Sequence, residues 1–284
     1  IKADGLAGGK GVTIEYSYDT AQETLQNLFL KNTLGKSGQQ IVIEEFLEGE
    51  EVSLIGVTDG KSIFPLCLTQ DHKQLNDNDN GPNTGGMGAY CPVTHVFDRW
   101  HVNLHTLSQQ FLEPVIQYIQ SQKISYQGFL YAGLMLTKHG PKLLEYNVRL
   151  GDPEAQSLMM LLKSDLVDIC KAVLEQKLTA EHIQFHAGAS ACVVIASDGY
   201  PQSPKTGFAI KGLSSIEMND TFQIFHAGTL LKDNTYYNNG GRVLSVTSKS
   251  ESLDKALSQI YNNITKITFE GNHYRKDIGF RRNS

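Results

Sequence analysis

Apolar positions along this chain follow two spacings, which predict alternating strands and helices. Short segments of alternating or successive apolar residues between turn-forming residues are typical of strands, and apolar residues three or four positions apart are typical of helices. The predicted strands are 1–3, 12–16, 40–46, 52–59, 62–68, 129–137, 142–149, 189–197, 222–227 and 242–247. The predicted helices are one capped by Thr20, then 97–122, 155–176 and 251–264.

The order of these elements predicts an α/β protein whose lobes mix strands and helices (α+β). Turn signals at Asp59 and Gly60 and around 139–141 predict two hairpins. Residues 69–92 read as a long loop rich in Asp, Asn and Gly, and such loops in compact domains are often functional. The pattern changes near residue 185. We therefore predict three parts, at 1–46, 47–184 and 185–284, the last being a smaller β-rich C-terminal domain.

Composition and charge narrow the classes of protein that fit. The 284 residues are 40% hydrophobic and 19% charged, which is typical of a globular protein of about two domains. A net charge of −5 and a pI near 6.0 argue against nucleic acid as a partner. With no apolar run near the ~20 residues of a membrane span, we expect no membrane partner. We interpret four widely spaced cysteines as reduced, packed thiols: Cys67, Cys91, Cys170 and Cys192.

The segment from Lys142 to Glu154 carries the most informative pattern. In a strand, Glu145, Asn147 and Arg149 share one face at steps of about 7 Å. Carboxylate and amide oxygens suit a hard cation such as Mg²⁺, and arginine binds phosphate with a planar set of donors. The row predicts one wall of a site for a metal–nucleotide complex, and an edge strand with a solvated face is the alternative. The opposite, apolar face would hold Leu144, Tyr146, Val148 and Leu150.

A glycine-rich loop lies between the first two predicted strands. Glycine lets backbone amides approach phosphate oxygens closely, and Lys2 and Lys10 add positive charge. The loop does not open a helix, which disfavours P-loop and Rossmann proteins. A hairpin with a glycine-rich tip is the structural alternative. The candidate phosphate-binding positions of the loop are Gly5, Gly8, Gly9, Lys10 and Gly11.

An acidic segment follows at the end of the strand at 40–46. We interpret it as a hinge in which backbone groups from Glu44 to Leu47 pair with the edge of adenine and a later carboxylate accepts the ribose hydroxyls. A solvated acidic turn is the alternative interpretation.

The long loop contains two further candidate groups. Asp71, His72 and Lys73 place an acid, a base and a cation within three residues. A second glycine-rich run offers backbone amides for a phosphate or a carboxylate, and a tight turn is its structural alternative. The members of that run are Thr84, Gly85, Gly86, Met87 and Gly88.

The order of these motifs resembles that of the ATP-grasp ligases, in which two lobes hold ATP between them. The resemblance narrows to the glycinamide ribonucleotide synthetase (phosphoribosylamine–glycine ligase) family and spans essentially the whole chain. The run from Gly81 to Tyr90 is its most specific segment. The segments that carry the resemblance are 2–12, 70–73, 81–90, 128–134, 151–154 and 274–279.

The resemblance implies a nucleotide site on the motifs described above. Glu145 and Asn147 would hold Mg²⁺ or Mn²⁺, and Arg149 would contact phosphate as a catalytic group. Lys2 would reach the ATP phosphates, and the glycine loop would close over them as the remainder of a lid subdomain at 1–46. The residues implied at the adenine and the ribose are Glu44, Glu45, Leu47 and Glu51.

The resemblance also implies a reaction in the cytoplasm between small molecules. The carboxylate of glycine attacks the γ-phosphate of ATP, and the amine of 5-phosphoribosylamine then attacks the acyl phosphate, which is a step of purine biosynthesis. Such chemistry depends mainly on positioning and charge neutralisation. Asp71 and Lys73 would be catalytic. The loops from Asp71 to Lys73 and from Thr84 to Gly88 would line the acceptor site together with Asp152.

Two departures from the family pattern matter. The strand at 129–137 has no acid where many ATP-grasp enzymes carry another metal carboxylate. The family also has an N-terminal domain upstream, so we expect an N-terminally truncated chain whose activity alone needs a test. The alternatives are another ATP-grasp carboxylate–amine ligase, and an inactive fragment or assembly module of a larger enzyme fused to other purine-pathway domains.

The C-terminal part carries weaker signals. We interpret the runs at 225–229 and 240–243 as packing and turns, with a substrate contact as the alternative, and His226 as a structural histidine. The basic residues at the end predict a solvated tail, with a phosphate contact as the alternative, and they are Arg275, Lys276, Arg281 and Arg282.

Overall fold

Most of the predicted segments form, although tertiary pairing sets their ends. The computed structural model describes residues 1–5, 7 and 11–283. In that part, helices α1–α7 span Tyr18–Phe29, His95–Trp100, Leu104–Leu107, Glu113–Ser121, Glu154–Leu161, Leu166–Leu174 and Leu253–Ile264. Strands β1–β15 span Lys2–Ala3, Ile41–Val42, Glu50–Thr58, Ile63–Pro65, Gln70–Asp71, Gln74–Asn76, Asn80–Asn83, Gly88–Cys91, Gly128–Thr137, Gly140–Asn147, Ala189–Ala196, Phe222–His226, Thr229–Lys232, Thr235–Asn238 and Arg242–Ser250.

Two hairpins build a four-stranded antiparallel sheet. Strand β3 pairs with β4 and with β9, and β10 completes the order β10-β9-β3-β4. Leu54 and Ile55 of β3 are both fully buried, in two different apolar cores. Burial on both faces explains why β3 is apolar at successive positions rather than at alternate ones. Both predicted hairpins are confirmed.

A second sheet has five antiparallel strands in the order β12-β15-β11-β8-β5. Two of them, β5 and β8, come from residues 69–92, and Cys91 of β8 lies opposite Ser190 of β11. The prediction of one long loop there was therefore wrong, because the partner strand of β8 lies far along the sequence. The sheet crosses the boundary predicted near 185, and the three-part division stays a prediction.

The first 46 residues contain less regular structure than predicted. The predicted strand at 12–16 is reduced to one bridge between Val12 and Lys2, and β2 covers only two residues. Helix α1 has Ser17 as its N-cap, with an extended backbone and an Oγ that accepts from the amide of Thr20 at 3.2 Å. The cap predicted at Thr20 was wrong by one turn.

The two longest predicted helices are interrupted. His101 adopts a left-handed backbone at φ 52° and ends α2, and a new capping box at Asn103 starts α3. A π-turn at Ser108–Leu112 then joins α3 to α4. Leu162 adopts an extended backbone between α5 and α6, which divides the helix predicted at 155–176.

Candidate active site

The hairpin of β9 and β10 brings the two predicted metal ligands together. Glu145 lies opposite Gly133 and Asn147 lies opposite Tyr131, and the Asn147 amide donates to Glu145 Oε1 at 3.1 Å. Glu145 is exposed to solvent and Asn147 is half-buried. Two oxygen-bearing side chains therefore lie side by side, open to a ligand, at the end of an edge strand.

Arg149 does not continue this row. The register shift of this hairpin lies before the row, between Leu143 and Glu145, but β10 ends at Asn147. Arg149 lies beyond that end, where its Nη1 donates to the carbonyl of Leu150 at 2.9 Å. The prediction of three residues on one strand face was wrong, because pairing with β9 sets the register and the end of the strand.

The predicted apolar face of this strand is also only partly buried. Tyr146 is 39% exposed and Val148 is 73% exposed. The Tyr146 hydroxyl donates to the carbonyl of Phe111 at 2.7 Å, which holds the strand end against the neighbouring helical segment. This face of β10 belongs to an edge strand and not to a core strand.

Lys2 lies between the β10 strand and the acidic segment. Its Nζ lies 3.5 Å from the carbonyl of Leu144 and 3.8 Å from Oε1 of Glu44. We call Lys2, Glu44, Glu145 and Asn147 the hairpin cluster. The neighbouring predicted adenine contacts lie on the segment before β3, where Glu45 is exposed and Leu47 is half-buried.

The two described ends of the glycine loop, at Gly5 and Gly11, contact other residues of the first 46. A Cβ on Gly5 would lie 2.6 Å from the Cα of Ser37, so this position requires glycine. The carbonyl of Gly11 accepts from the amide of Ala3 at 2.8 Å. The predicted phosphate-binding residues Gly8, Gly9 and Lys10 lie outside the described residues.

Lys73 connects the acidic end of β3 to the long loop. Its ammonium pairs with the carboxylate of Glu51, the residue predicted at the ribose. Burial opposes the charge on Lys73, but Glu51 and Asp71 outweigh it and raise the pKa of Lys73 above its usual value. Lys73 therefore remains a cation at neutral pH, and the ribose role of Glu51 stays a prediction.

Asp71 is a carboxyl group in an unusual environment. Its Oδ1 is buried and has no hydrogen-bond partner among the described residues. Burial, followed by the charge of Glu154, raises the pKa of Asp71 well above its usual range. Glu154 is itself buried and accepts from Ser53 Oγ at 2.9 Å and from the Tyr131 hydroxyl at 3.1 Å. Two acidic groups thus lie close together beneath the glycine run.

The glycine run packs closely over the carboxyl group of Asp71. Gly86 has a φ of 117°, and a Cβ there would lie 2.7 Å from Oδ1 of Asp71. Thr84 Oγ1 donates to the carbonyl of Lys73 at 2.7 Å and accepts from the amide of Gly86 at 3.0 Å. A larger residue at position 86 would displace the carboxyl group, so the sequence needs glycine there.

Met87 and Gly88 serve packing in this structure. The Met87 side chain is fully buried, and its amide and carbonyl bond to His72 and Val194. Gly88 lies in β8, against β11. The predicted substrate contacts of both residues stay predictions.

Arg242 is a site residue that the sequence interpretation did not assign. Its Nη1 donates to the carbonyls of Asp152 at 2.6 Å and of Gly85 at 2.8 Å, and its Nη2 donates to Oδ2 of Asp152 at 3.1 Å. The Tyr200 hydroxyl accepts from the amide of Gly85 at 2.8 Å. The sequence signal is the run at 240–243, which we interpret from sequence as a turn or packing, with a substrate contact as the alternative. We call Asp71, Lys73, Gly85, Asp152, Glu154 and Arg242 the loop cluster.

Two of the four C-terminal basic residues, Arg275 and Arg281, do not belong to a solvated tail, and the side chain of Arg282 lies outside the described residues. Arg275 is fully buried and pairs with Asp79 and Asp277 at 2.9 and 2.8 Å. Arg281 pairs with Asp79 at 2.6 Å. The prediction was wrong for both arginines because their carboxylate partners include a residue of the distant long loop. Lys276 is exposed, as predicted.

Other sequence interpretations concern single side chains. The four cysteines are free thiols. The Nδ1 of His226 lies 3.0 Å from Thr229 Oγ1, and its ring packs on Tyr236. These contacts are those of a structural histidine, as expected.

The donor set at Glu145 and Asn147 fits a cation that is held mainly by phosphate. The described residues contain no group of three or more His, Cys, Asp or Glu side chains arranged to hold a metal ion. Mg²⁺ prefers oxygen ligands and commonly binds through one or two carboxylates together with substrate phosphates. Two adjacent oxygen donors on a solvent-exposed strand match binding of Mg²⁺ through few protein ligands together with substrate phosphates.

Across the part of the chain described, no helix has the length and apolarity to cross a bilayer.

Comparison with a solved structure and with a family model identifies the fold to which the two sheets belong. A biotin carboxylase domain of the 2-oxoglutarate carboxylase from Hydrogenobacter thermophilus superposes with a TM-score of 0.69 at 13% identity, covering 96% of this chain and 57% of that one. At that identity the likeness concerns the fold alone. Residues 1–155 match the family model for the phosphoribosylglycinamide synthetase ATP-grasp (A) domain. The fold is therefore α/β of the ATP-grasp type, as predicted.

Residues 190–281 match the C domain of the same family, and the chain belongs to the phosphoribosylglycinamide synthetase family. The phosphoribosylamine–glycine ligase of Clostridium acetobutylicum is 44% identical over 279 residues, which cover 98% of this chain and 65% of that protein. The family resemblance predicted from the motifs is confirmed. The chain spans about 65% of the length of the bacterial relatives that it matches.

Two further relatives show how widely the likeness extends. The crystal structure of the phosphoribosylamine–glycine ligase from Thermotoga maritima superposes with a TM-score of 0.85 at 34% identity, covering 98% of this chain and 68% of that one. The trifunctional purine biosynthetic protein adenosine-3 of Gallus gallus is 45% identical over 282 residues, which make up 99% of this chain and 28% of that protein.

Proposed function

We propose that this chain forms the catalytic part of an ATP-dependent ligase that joins glycine to 5-phosphoribosylamine. The products are glycinamide ribonucleotide, ADP and phosphate, in de novo purine biosynthesis, and a cytoplasmic location belongs to the same proposal. One observation carries it. Lys73 of the loop cluster pairs with Glu51, the residue predicted at the ribose, and the charge of Glu145 in the hairpin cluster contributes weakly to the raised pKa of Lys73. A cation of the loop cluster that pairs with a residue of the predicted nucleotide site supports one continuous site for phosphate and acceptor.

The chemistry needs charge neutralisation and alignment. The glycine carboxylate attacks the γ-phosphate, and ADP leaves with the bonding electrons. The amine then attacks the glycyl carbonyl, a C–N bond forms, the C–O bond to phosphate breaks, and the amine loses a proton. Lys73 and Lys2 supply positive charge for the anions. Unpartnered Asp71 Oδ1 is available to accept an N–H from an amine substrate, and the raised pKa of Asp71 suits a proton acceptor.

Glu145 and Asn147 would hold a divalent cation, Mg²⁺ or Mn²⁺, which neutralises phosphate charge when it is bound. The backbone around Gly85 and Gly86, fixed by Arg242, would orient the acceptor molecule. Precise alignment of this kind contributes a large part of the rate in reactions between two bound substrates.

The test is ADP release by this chain in MgATP, with glycine and freshly prepared phosphoribosylamine present together and with each omitted in turn. Release that requires both substrates supports the proposal. Release with bicarbonate in their place would instead favour another ATP-grasp ligase. Absence of release with every substrate would contradict activity of this chain by itself and leave a binding or assembly role.

A further inference from the structure

The segment 275–281 lies against the strand that carries Asp71. The Arg281 Nη1 donates to the backbone carbonyl of Asp71 at 3.2 Å. The Nε and Nη2 of the same guanidinium donate to Oδ2 of Asp79 at 2.9 and 2.6 Å. The Arg281 side chain therefore links strand β5 to Asp79, which lies eight residues after Asp71. It contacts the backbone of Asp71 and not the carboxyl group.

Arg275 supports Arg281 from within the core. Its Nη1 donates to Oδ1 of Asp79 at 2.9 Å and to the carbonyl of Gln74 at 3.2 Å, while Nε and Nη2 bind both oxygens of Asp277 at 2.8 Å. The two arginines thus share Asp79, which cannot move without breaking both pairs. Two guanidinium groups and two carboxylates also balance in charge, as burial of ionised groups requires.

His72 adds a contact on the other side of Asp71. Its ring is buried, and Nε2 accepts from the amide of Gly279 at 3.1 Å. Burial, followed by the nearby charges of Arg281 and Arg275, lowers the pKa of His72 to about 3. The imidazole is therefore neutral at physiological pH and retains the lone pair that this hydrogen bond needs. The Phe280 ring lies 5.9 Å from the centre of the His72 ring.

The segment also reaches the base of β3. Arg99 Nη1 donates to the carbonyl of Arg281 at 3.3 Å and to Oε2 of Glu50 at 3.0 Å. Gln70 donates to Oε1 of Glu50 at 3.1 Å and to the carbonyl of Glu51 at 2.9 Å. Through Arg99 the segment 275–281 is therefore linked to Glu50, which precedes Glu51 of the Lys73–Glu51 pair.

Resting on the proposed function, we propose that segment 275–281 positions the acceptor side of the site, with Arg281 as a positioning residue for Asp71 and Lys73. Arg281 touches no reacting group. It acts through the backbone of Asp71 and through Asp79. Its loss should misplace the acceptor groups while the hairpin cluster, which it does not contact, keeps its geometry.

Steady-state kinetics on the whole chain provide the first test. Arg281→Met should lower kcat/KM for glycine and phosphoribosylamine by about 10- to 100-fold, because small misplacements in a reacting pair are costly. The KM for ATP should change less than this, since Arg281 has no contact with Lys2, Glu145 or Asn147 and reaches the predicted ribose residue only through Lys73. Arg281→Lys, which keeps the charge but not the fork of donors, should recover part of the loss. Lys276→Met is the matched control, an exposed cation of the same segment, and should match the wild type.

Amide hydrogen exchange provides a second readout that does not need turnover. Arg281→Met should speed exchange at Thr84 and Met87, whose amides bond to the carbonyls of Lys73 and His72, and leave β3 and β9 unchanged. Unchanged exchange at Thr84 and Met87, or equal acceleration in β3 and β9, would overturn the proposal. An equal kinetic loss for all three substrates would overturn it too. If the wild type makes no ADP, the proposed activity of this chain fails, while the exchange comparison still decides the positioning role.

Discussion

The hairpin cluster and the loop cluster are built in opposite ways. The hairpin cluster is open to solvent, and its lysine contacts are long, at 3.5 and 3.8 Å. The loop cluster includes the buried Glu154 and the buried Oδ1 of Asp71, although Gly85 and Asp152 are exposed. Arg242 alone holds three of its backbone and side-chain oxygens at 3.1 Å or less. The hairpin cluster suits a highly charged ligand that brings its own metal ion. The loop cluster is already held in place by protein contacts before a ligand binds.

The two clusters differ because different charged groups are removed from water in each of them. A nucleoside triphosphate brings its own charge and bound cations into an exposed site. The side chains of the hairpin cluster can therefore remain hydrated until the ligand binds. Asp71 and Glu154 are acidic groups in a region with little water, and they persist only because Lys73, Arg242 and neighbouring hydroxyl groups surround them. Stability should therefore depend on the loop cluster and its supports, and metal-dependent activity on the hairpin cluster.

The largest effect should come from breaking the support of the loop cluster at Arg275. Arg275→Met removes a fully buried guanidinium and leaves Asp79 and Asp277 without it, which should lower the free energy of unfolding by about 3–5 kcal/mol. Urea unfolding measures this loss, with Lys276→Met as the control for charge. A loss below about 1 kcal/mol, the range of exposed pairs, would mean that these ion pairs are not structural.

The next effect separates activity from stability at the hairpin cluster. Glu145→Ala should lower ADP production at limiting Mg²⁺ by at least about 10- to 100-fold, a loss seen even for groups that only support a metal ligand. Because Glu145 is exposed, the melting temperature should hardly change. Lys142→Ala, on the same strand and also exposed, is the control. Unchanged ADP production at limiting Mg²⁺ would show that the metal assignment is wrong.

A pH-dependent effect, which is smaller than that of Arg275→Met within the first pH unit below 6.5, should reveal the neutral His72. The pKa of His72 falls from 6.5 to about 3 on folding, so below pH 6.5 the unfolded chain takes up a proton that the folded chain does not. Stability should therefore decrease as pH falls from 6.5 towards 3, by up to about 1.4 kcal/mol per pH unit. His72→Gln keeps an acceptor for Gly279 and should flatten this slope in unfolding curves. An identical slope in both proteins would contradict the neutral, buried imidazole.

The smallest effect should come from the ion pair of the hairpin cluster. Glu44 and Lys2 lie 3.8 Å apart and are partly exposed, so Glu44→Gln should change the free energy of unfolding by less than about 0.5 kcal/mol. Thermal unfolding without nucleotide measures it. A loss comparable to that of Arg275→Met would mean that the hairpin cluster is as firmly built as the loop cluster.

Local sequence patterns predicted the parts of this molecule whose partners are near in sequence. The β3–β4 and β9–β10 hairpins follow from turn residues between apolar segments, and the nearness of Glu145 to Asn147 follows from the two-residue period of a strand. The bulge beside Glu145 was not predictable, because it depends on how β10 aligns with β9. Arg149 left the predicted row for a different reason, which is that β10 ends two residues before it, at Asn147.

Long-range pairing accounts for the remaining errors. Arg242, Arg275 and Arg281 carry charge, and an isolated sequence of charged residues indicates solvent exposure. Their partners, Asp152 and Asp79, lie about 90 to 200 residues away and belong to segments interpreted as loops. Burial of these arginines is decided by that pairing, which no local pattern carries.

The shared five-stranded sheet has a consequence for how the chain is made. On the ribosome, β8 emerges about 100 residues before β11, its neighbour in the sheet. Until then the new chain has a strand with an unpaired edge, the kind of edge on which other chains can add. Contacts over such sequence distances also form slowly. We therefore expect this edge of β8 to stay open to other chains until β11 has emerged from the ribosome and paired with it.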